Sequence, residues 1–151
     1  MKVIGAEKVK RRLKHIPSVL ELDLRASLFE AAKALKDDVV REIEKPKHGR
    51  VYTNRTRGRG AKITWRASAP GEAPAKKTGR RMAQIVAKKS NRKFKPQSRV
   101  KAPGIYRLLE RGLANIKPRP LFGPLMRKKA PEIQRMMRDV SARAVRKGAR
   151  R

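Results

Sequence analysis

Two histidines and twelve carboxylates are all that this 151-residue chain offers to acid–base or metal chemistry, and it has no cysteine. The missing cysteine excludes a disulfide framework, thiolate metal ligands and a thiol nucleophile. His15 and His48 stand at a helix end and in a basic loop, with no carboxylate or third ligand at useful spacing. Asp37-Asp38 and Glu42 with Glu44 share a helix with lysines and arginines, where solvated ion pairs are the usual outcome. A metal-dependent nuclease gathers several acidic ligands around its cations. Between positions 45 and 109 only Glu72 is acidic. Gly58-Arg59-Gly60 is too short for a phosphate loop, and no Gly-Lys-Ser/Thr follows it. The expectation is a protein that is not an enzyme and holds neither metal nor cofactor.

Phosphate binding is the chemistry these residues suit better. Forty-three Lys and Arg against twelve Asp and Glu give a formal net charge of +31. The surplus is uneven. Residues 1–44 hold ten basic and eight acidic side chains, residues 45–109 twenty and one, and residues 110–151 thirteen and three. Self-repulsion of that size opposes a compact state unless polyanions, counterions or acidic neighbours offset it. Arg55, Arg57, Arg59, Lys62 and Arg66 cluster around one turn; Lys76, Lys77, Arg80 and Arg81 flank Thr78-Gly79; Lys88, Lys89 and Arg92 follow. Guanidinium forks and ammonium groups bind phosphate oxygens with little regard for base identity. Aromatics that could stack on bases are few, chiefly Tyr52, Trp65, Phe94 and Tyr106, so sequence-specific reading of single strands is not expected. Two partners remain open for the basic positions, nucleic acid and an acidic protein surface.

The elements that must carry these residues follow from periodicity. The length fits one domain over 1–151, no apolar run approaches the roughly 18–20 residues of a membrane span, and the N-terminus shows no signal-like apolar stretch. Val9, Leu13 and Ile16 predict a short helix over 6–16 that Pro17 ends. Ser18 and Glu21 then match a capping box, opening a helix over 18–45 with Leu24, Leu28, Ala31, Leu35, Val39 and Ile43 on its apolar stripe. Lys45-Pro46 stops it. Residues 50–66 read as a hairpin with a basic tip. A short helix after Thr78 would carry Met82, Ile85 and Val86, a strand would lie near 94–102, and Ile105–Arg111 would be a short helix stopped by Gly112. Leu125, Ala130, Ile133, Met137, Val140 and Ala144 predict a last helix over about 122–146 despite Pro131, with a frayed tail over 147–151. The expected fold class is α+β, two long helices packed on one small antiparallel sheet built from 50–66 and 94–102, with extended basic loops.

Three short motif stretches lie in order along the chain. Pro70-Gly71-Glu72-Ala73-Pro74 leads into Thr78-Gly79-Arg80. Tyr106-Arg107-Leu108-Leu109-Glu110-Arg111-Gly112 follows, and Arg119-Pro120-Leu121-Phe122-Gly123-Pro124 opens the last helix. Together with the N-terminal helices, this order resembles the neck or tail-completion family of minor tail components of long-tailed bacteriophages. Its members carry Pro-Gly-x-x-Pro before a Thr-Gly turn, Tyr-Ala-x-x-x-Glu-x-Gly, and Arg-Pro-Phe-x-x-Pro. Arg81, Arg107 and Pro131 depart from the family pattern. The resemblance implies a subunit of a homo-oligomeric ring in the virion neck, assembled in the host cytoplasm. It also implies contact with the head–tail connector and the tail terminator or tail tube, double-stranded DNA in the channel, no membrane, and no catalysis.

The motif residues also have a physical reading. Gly79 and Gly112 are candidate positive-φ or close-approach positions, Tyr106 offers a ring to a small core and a hydroxyl needing a partner, and Arg119-Pro120 presets an extended approach to the last helix. Glu110 could pair with Arg119, with a neighbouring subunit, or with water alone. Charge alone equally suits a ribosomal or other structural-RNA-binding protein, or a DNA-compacting one.

Overall fold

A computed structural model of the chain describes residues 6–55, 62–77, 79–90, 96–112, 114 and 116–150. Helix α1 (Ala6–Glu44) is followed by strands β1 (Val51–Arg55) and β2 (Lys62–Arg66), a single 3-10 turn (Met82–Gln84), and strands β3 (Val86–Lys89) and β4 (Ser98–Lys101). Helices α2 (Gly104–Arg111) and α3 (Phe122–Arg150) close the chain, and the fold is α+β.

Pro17 does not end a helix. It lies inside α1, which runs on through the expected break. An interior proline loses one backbone hydrogen bond and costs about 3 kcal/mol. Extending an existing helix is nevertheless easier than nucleating a second one, and good helix formers stand on both sides. Ser18 is therefore an interior helical residue rather than an N-cap, and Glu21 takes Arg25 one turn on. The other end of α1 stops as the sequence leads one to expect, before Pro46. Lys47 is buried and donates from Nζ to the Glu42 carbonyl at 2.8 Å, satisfying an acceptor of the last turn. Burial pushes its ammonium below the usual lysine range, while Glu42 and Glu72 pull it back up.

The expected single sheet is two separate two-stranded sheets, β1 with β2 and β3 with β4. Residues 98–101 pair with 86–89, the nearer segment in sequence, rather than with the 50–66 hairpin. Short loops close at less entropic cost than long ones. The short helix expected after Thr78 shrinks to the 3-10 turn, because Ile85 is already extended (φ −80°, ψ 115°) and Val86 opens β3. Two β-branched residues in succession favour that conformation. The last helix is longer than its stripe suggests, continuous through Pro131 to Arg150 and so taking in most of the expected tail.

The chain divides into two compact units. One comprises Met1–Lys33, Ala87–Arg99 and Lys129–Arg151. Among its described residues the buried apolar ones are Ala32, Val140 and Ala144, and Lys147 reaches Asp23 at 3.3 Å. The other comprises Ala34–Val86 and Val100–Lys128. Its core gathers Val39, Ile43, Ala73, Ile85, Tyr106 and Leu121, with Met82, Val100, Ala102, Ile105, Phe122 and Leu125 packed against them. Val39 and Ile43, one turn apart on α1, are essentially sealed, and each contributes about 1.5–3 kcal/mol of burial.

Candidate nucleic-acid interface

The second unit positions most of the basic candidates, and three motif segments hold it together. Ala69-Pro70-Gly71-Glu72 is a tight turn, with the Glu72 amide donating to the Ala69 carbonyl at 3.1 Å and Gly71 at φ 83°. Proline followed by a positive-φ glycine is the arrangement a type II turn requires. The Glu72 carboxylate then accepts from the amides of Ala69 (2.7 Å) and His48 (3.3 Å), and it bonds the His48 ring at Nδ1. Those bonds, His48's first, hold it well below the ordinary value of 4.5, down to about 2. The one acid of the basic middle is thus a fastener between two loops. The same turn is tied onward, Gly71 N–H to the Pro118 carbonyl at 3.3 Å.

Arg119 and Glu110 complete the joint. The Arg119 amide donates to the Leu109 carbonyl at 2.8 Å, and Glu110 Oε1 accepts from the Gly123 amide at 2.6 Å. The partner of Glu110 is therefore the first turn of α3, where a carboxylate satisfies an orphan donor and meets the positive end of the helix dipole. Gly112 ends α2 at φ 81°, and a Cβ there would lie 3.0 Å from the Ile116 carbonyl oxygen. Gly79 also has positive φ, at 76°. Tyr106 is in the core, where burial raises its phenol above the usual range and the Arg81 charge pulls it back. Pro74 is fully buried and Pro120 half-buried, next to the sealed Leu121.

On this frame sits the β1–β2 ribbon. Its register pairs Val51 with Arg66, Tyr52 with Trp65, Thr53 with Thr64, Asn54 with Ile63 and Arg55 with Lys62. Alternation sends these pairs to opposite faces. One face holds Tyr52 stacked on Trp65, centroids 5.6 Å apart and planes 21° apart. Arg50 Cζ lies 5.9 Å over the Tyr52 ring and Lys77 Nζ 4.1 Å over Trp65. The other face holds positions 51, 53, 55, 62, 64 and 66, with the Thr53 and Thr64 hydroxyl oxygens 3.2 Å apart. Lys62 and Arg66 are exposed there.

Lys76, Lys77, Arg80 and Arg81 line one groove of about 450 Å³, over Met82, Ile105, Tyr106 and Leu109. Lys76 also reaches Glu44 at 3.0 Å. Lys88 and Lys89 belong to the other unit, where Lys89 Nζ lies 4.6 Å over the Phe29 ring. Arg57, Arg59, Thr78 and Arg92 lie outside the described residues, and Arg55 is placed by register alone. The structure therefore brings the ribbon cations and the 76–81 cations into one unit. Arg50, the His48–Glu72 fastener and the contact of Lys77 with Trp65 were not singled out from the sequence. The fastener spans 24 positions, a separation at which neither periodicity nor motif spacing carries a signal.

Among the described residues, no three His, Asp or Glu gather as metal ligands, and no helix is long and apolar enough to cross a membrane. Comparisons with protein-family models, with curated proteins and with solved structures return no match.

Proposed function

We propose that this chain is a non-enzymatic virion component of a tailed bacteriophage, a ring subunit of the neck that joins the DNA-filled head to the tail. The observation that carries the reading is the ordered motif set, three of whose segments, around Gly71, Glu110 and Arg119, meet in one joint. Gly71 is bonded to Pro118, Arg119 to Leu109 and Glu110 to Gly123, around a core containing Tyr106, Ala73 and Leu121. Motifs that resemble a family's signature and also build the hub of a unit are what a shared scaffold demands.

The basic surface supports the same reading. Among the described residues eight carboxylates are in ion pairs with Lys or Arg, mostly within a turn or two of the same helix, and Glu72 is held by His48. The acids are engaged locally, and the cation surplus is left for partners. In this role those partners are further copies of the chain, the connector and tail proteins above and below, and DNA in the channel. Electron microscopy of particles assembled without this chain should show heads and tails unjoined. Normal joined, infectious virions would refute the role, and co-sedimentation of the chain with ribosomal subunits would favour a structural-RNA function.

A further inference from the structure

We infer that the face of the β1–β2 ribbon bearing Thr53, Lys62, Thr64 and Arg66 is a sequence-independent docking face for duplex DNA, meeting its phosphate backbone. This deepens the neck reading by naming what the hairpin touches. Residues 50–66 contain six basic and no acidic side chains. The register gathers Lys62, Arg66 and two hydroxyls on one face, and Lys62, Thr53, Thr64 and Arg66 are all exposed. Cations and hydroxyls together are the donors that phosphate oxygens accept from. A two-stranded ribbon, with strands about 4.8 Å apart, also fits within a major groove about 12 Å wide.

Two alternatives fit the face less well. The centre of a protein–protein contact is usually depleted of charged residues. Among the described residues of this face the only apolar side chain is Val51, at one end. A single strand would stack its bases on aromatic rings. Tyr52 and Trp65 lie on the opposite face, stacked on each other with a cation over each ring.

The test is fluorescence anisotropy of the full chain on a labelled duplex of arbitrary sequence, titrated with salt. A chain of this charge binds DNA somewhere, so the control removes the same charge elsewhere, at the exposed Lys128 and Arg135. The Lys62→Ala/Arg66→Ala variant should flatten the slope of log K against log salt by about 1.8, roughly 0.9 for each lost phosphate contact. The Lys128→Ala/Arg135→Ala control should leave the slope unchanged. Thr53→Val/Thr64→Val should weaken binding several-fold at constant slope. Circular dichroism and Trp65 emission, the only tryptophan, report whether each variant keeps its fold and the ribbon its stack. Equal slope changes in the two doubles would overturn the inference, since binding would then follow total charge. So would tighter binding to single strands, or displacement of the duplex by polyglutamate at equal charge. None of those results touches the joining role, which is read from particle morphology.

Discussion

Glu72 and Gly49 decide whether the loops around the ribbon hold. The Glu72 carboxylate has a folded value near 2 against an ordinary 4.5, because His48 and the Ala69 amide bond its charged form. A depressed acid stabilises the fold fully above its unfolded value and loses that contribution as pH falls towards the folded one. The window is therefore from about 4.5 down to about 2. Amide-proton shifts of His48 and Ala69, followed by NMR, should titrate with a midpoint near 2; a midpoint near 4.5 would mean the fastener is not formed. Gly49 is fixed by space rather than by dihedral angle. A Cβ there would stand 2.6 Å from the Ala67 carbonyl oxygen, and the Gly49 amide bonds that same oxygen at 3.1 Å. Gly49→Ala should cost about 1–3 kcal/mol of stability, seen as a melting point lower by several degrees. An unchanged melting point would show that the 49–67 crossing can spread freely. At this scale the sequence was partly legible. The positive-φ roles of Gly79 and Gly112 follow from residue type next to turn or helix-end signals, and so does the burial of Tyr106. The use of Glu110 as a cap on α3 does not, because its partner is a backbone amide thirteen positions away.

Helices were easier to read than sheets, and the reason is range. The stripe from Leu24 to Ile43 and that from Leu125 to Ala144 are local signals repeated over many turns, and both gave helices where expected. The sequence marks Pro17 as a helix end, whereas it predicts the last helix to run on despite Pro131. Pro17 and Pro131 both lie inside helices, since a local penalty of about 3 kcal/mol can be outweighed by the tertiary burial and propagation on either side. Strand partners are set by loop closure and core packing, which no local pattern records, so one expected sheet proved to be two. Pro17 is exposed, and replacing it removes no buried contact. Pro17→Ala should therefore stabilise the chain, by up to about 3 kcal/mol, raising the urea midpoint and the helical circular dichroism together. No change in either would place a helix boundary at Pro17 after all.

The whole molecule is governed by its +31 charge. Between about 10 mM and about 1 M salt the screening length falls from ~30 Å to ~3 Å, which relieves long-range repulsion while leaving part-buried ion pairs such as Arg25–Glu21 comparatively intact. The melting point of the isolated chain should rise with salt, and rise further with a polyanion at the same ionic strength. A melting point that falls with salt would show that the ion pairs outweigh the repulsion. Function is least legible at this scale, because charge names a class of partner and motif order suggests an assembly, while neither contains the assembly itself. The most direct measurement is an electron cryo-microscopy map of the neck in assembled virions. It should show a ring of this chain between connector and tail, with Lys62 and Arg66 turned to the DNA and the remaining basic surfaces against acidic neighbours. A map in which the ring is missing, or in which those side chains all face open solvent, would contradict the account.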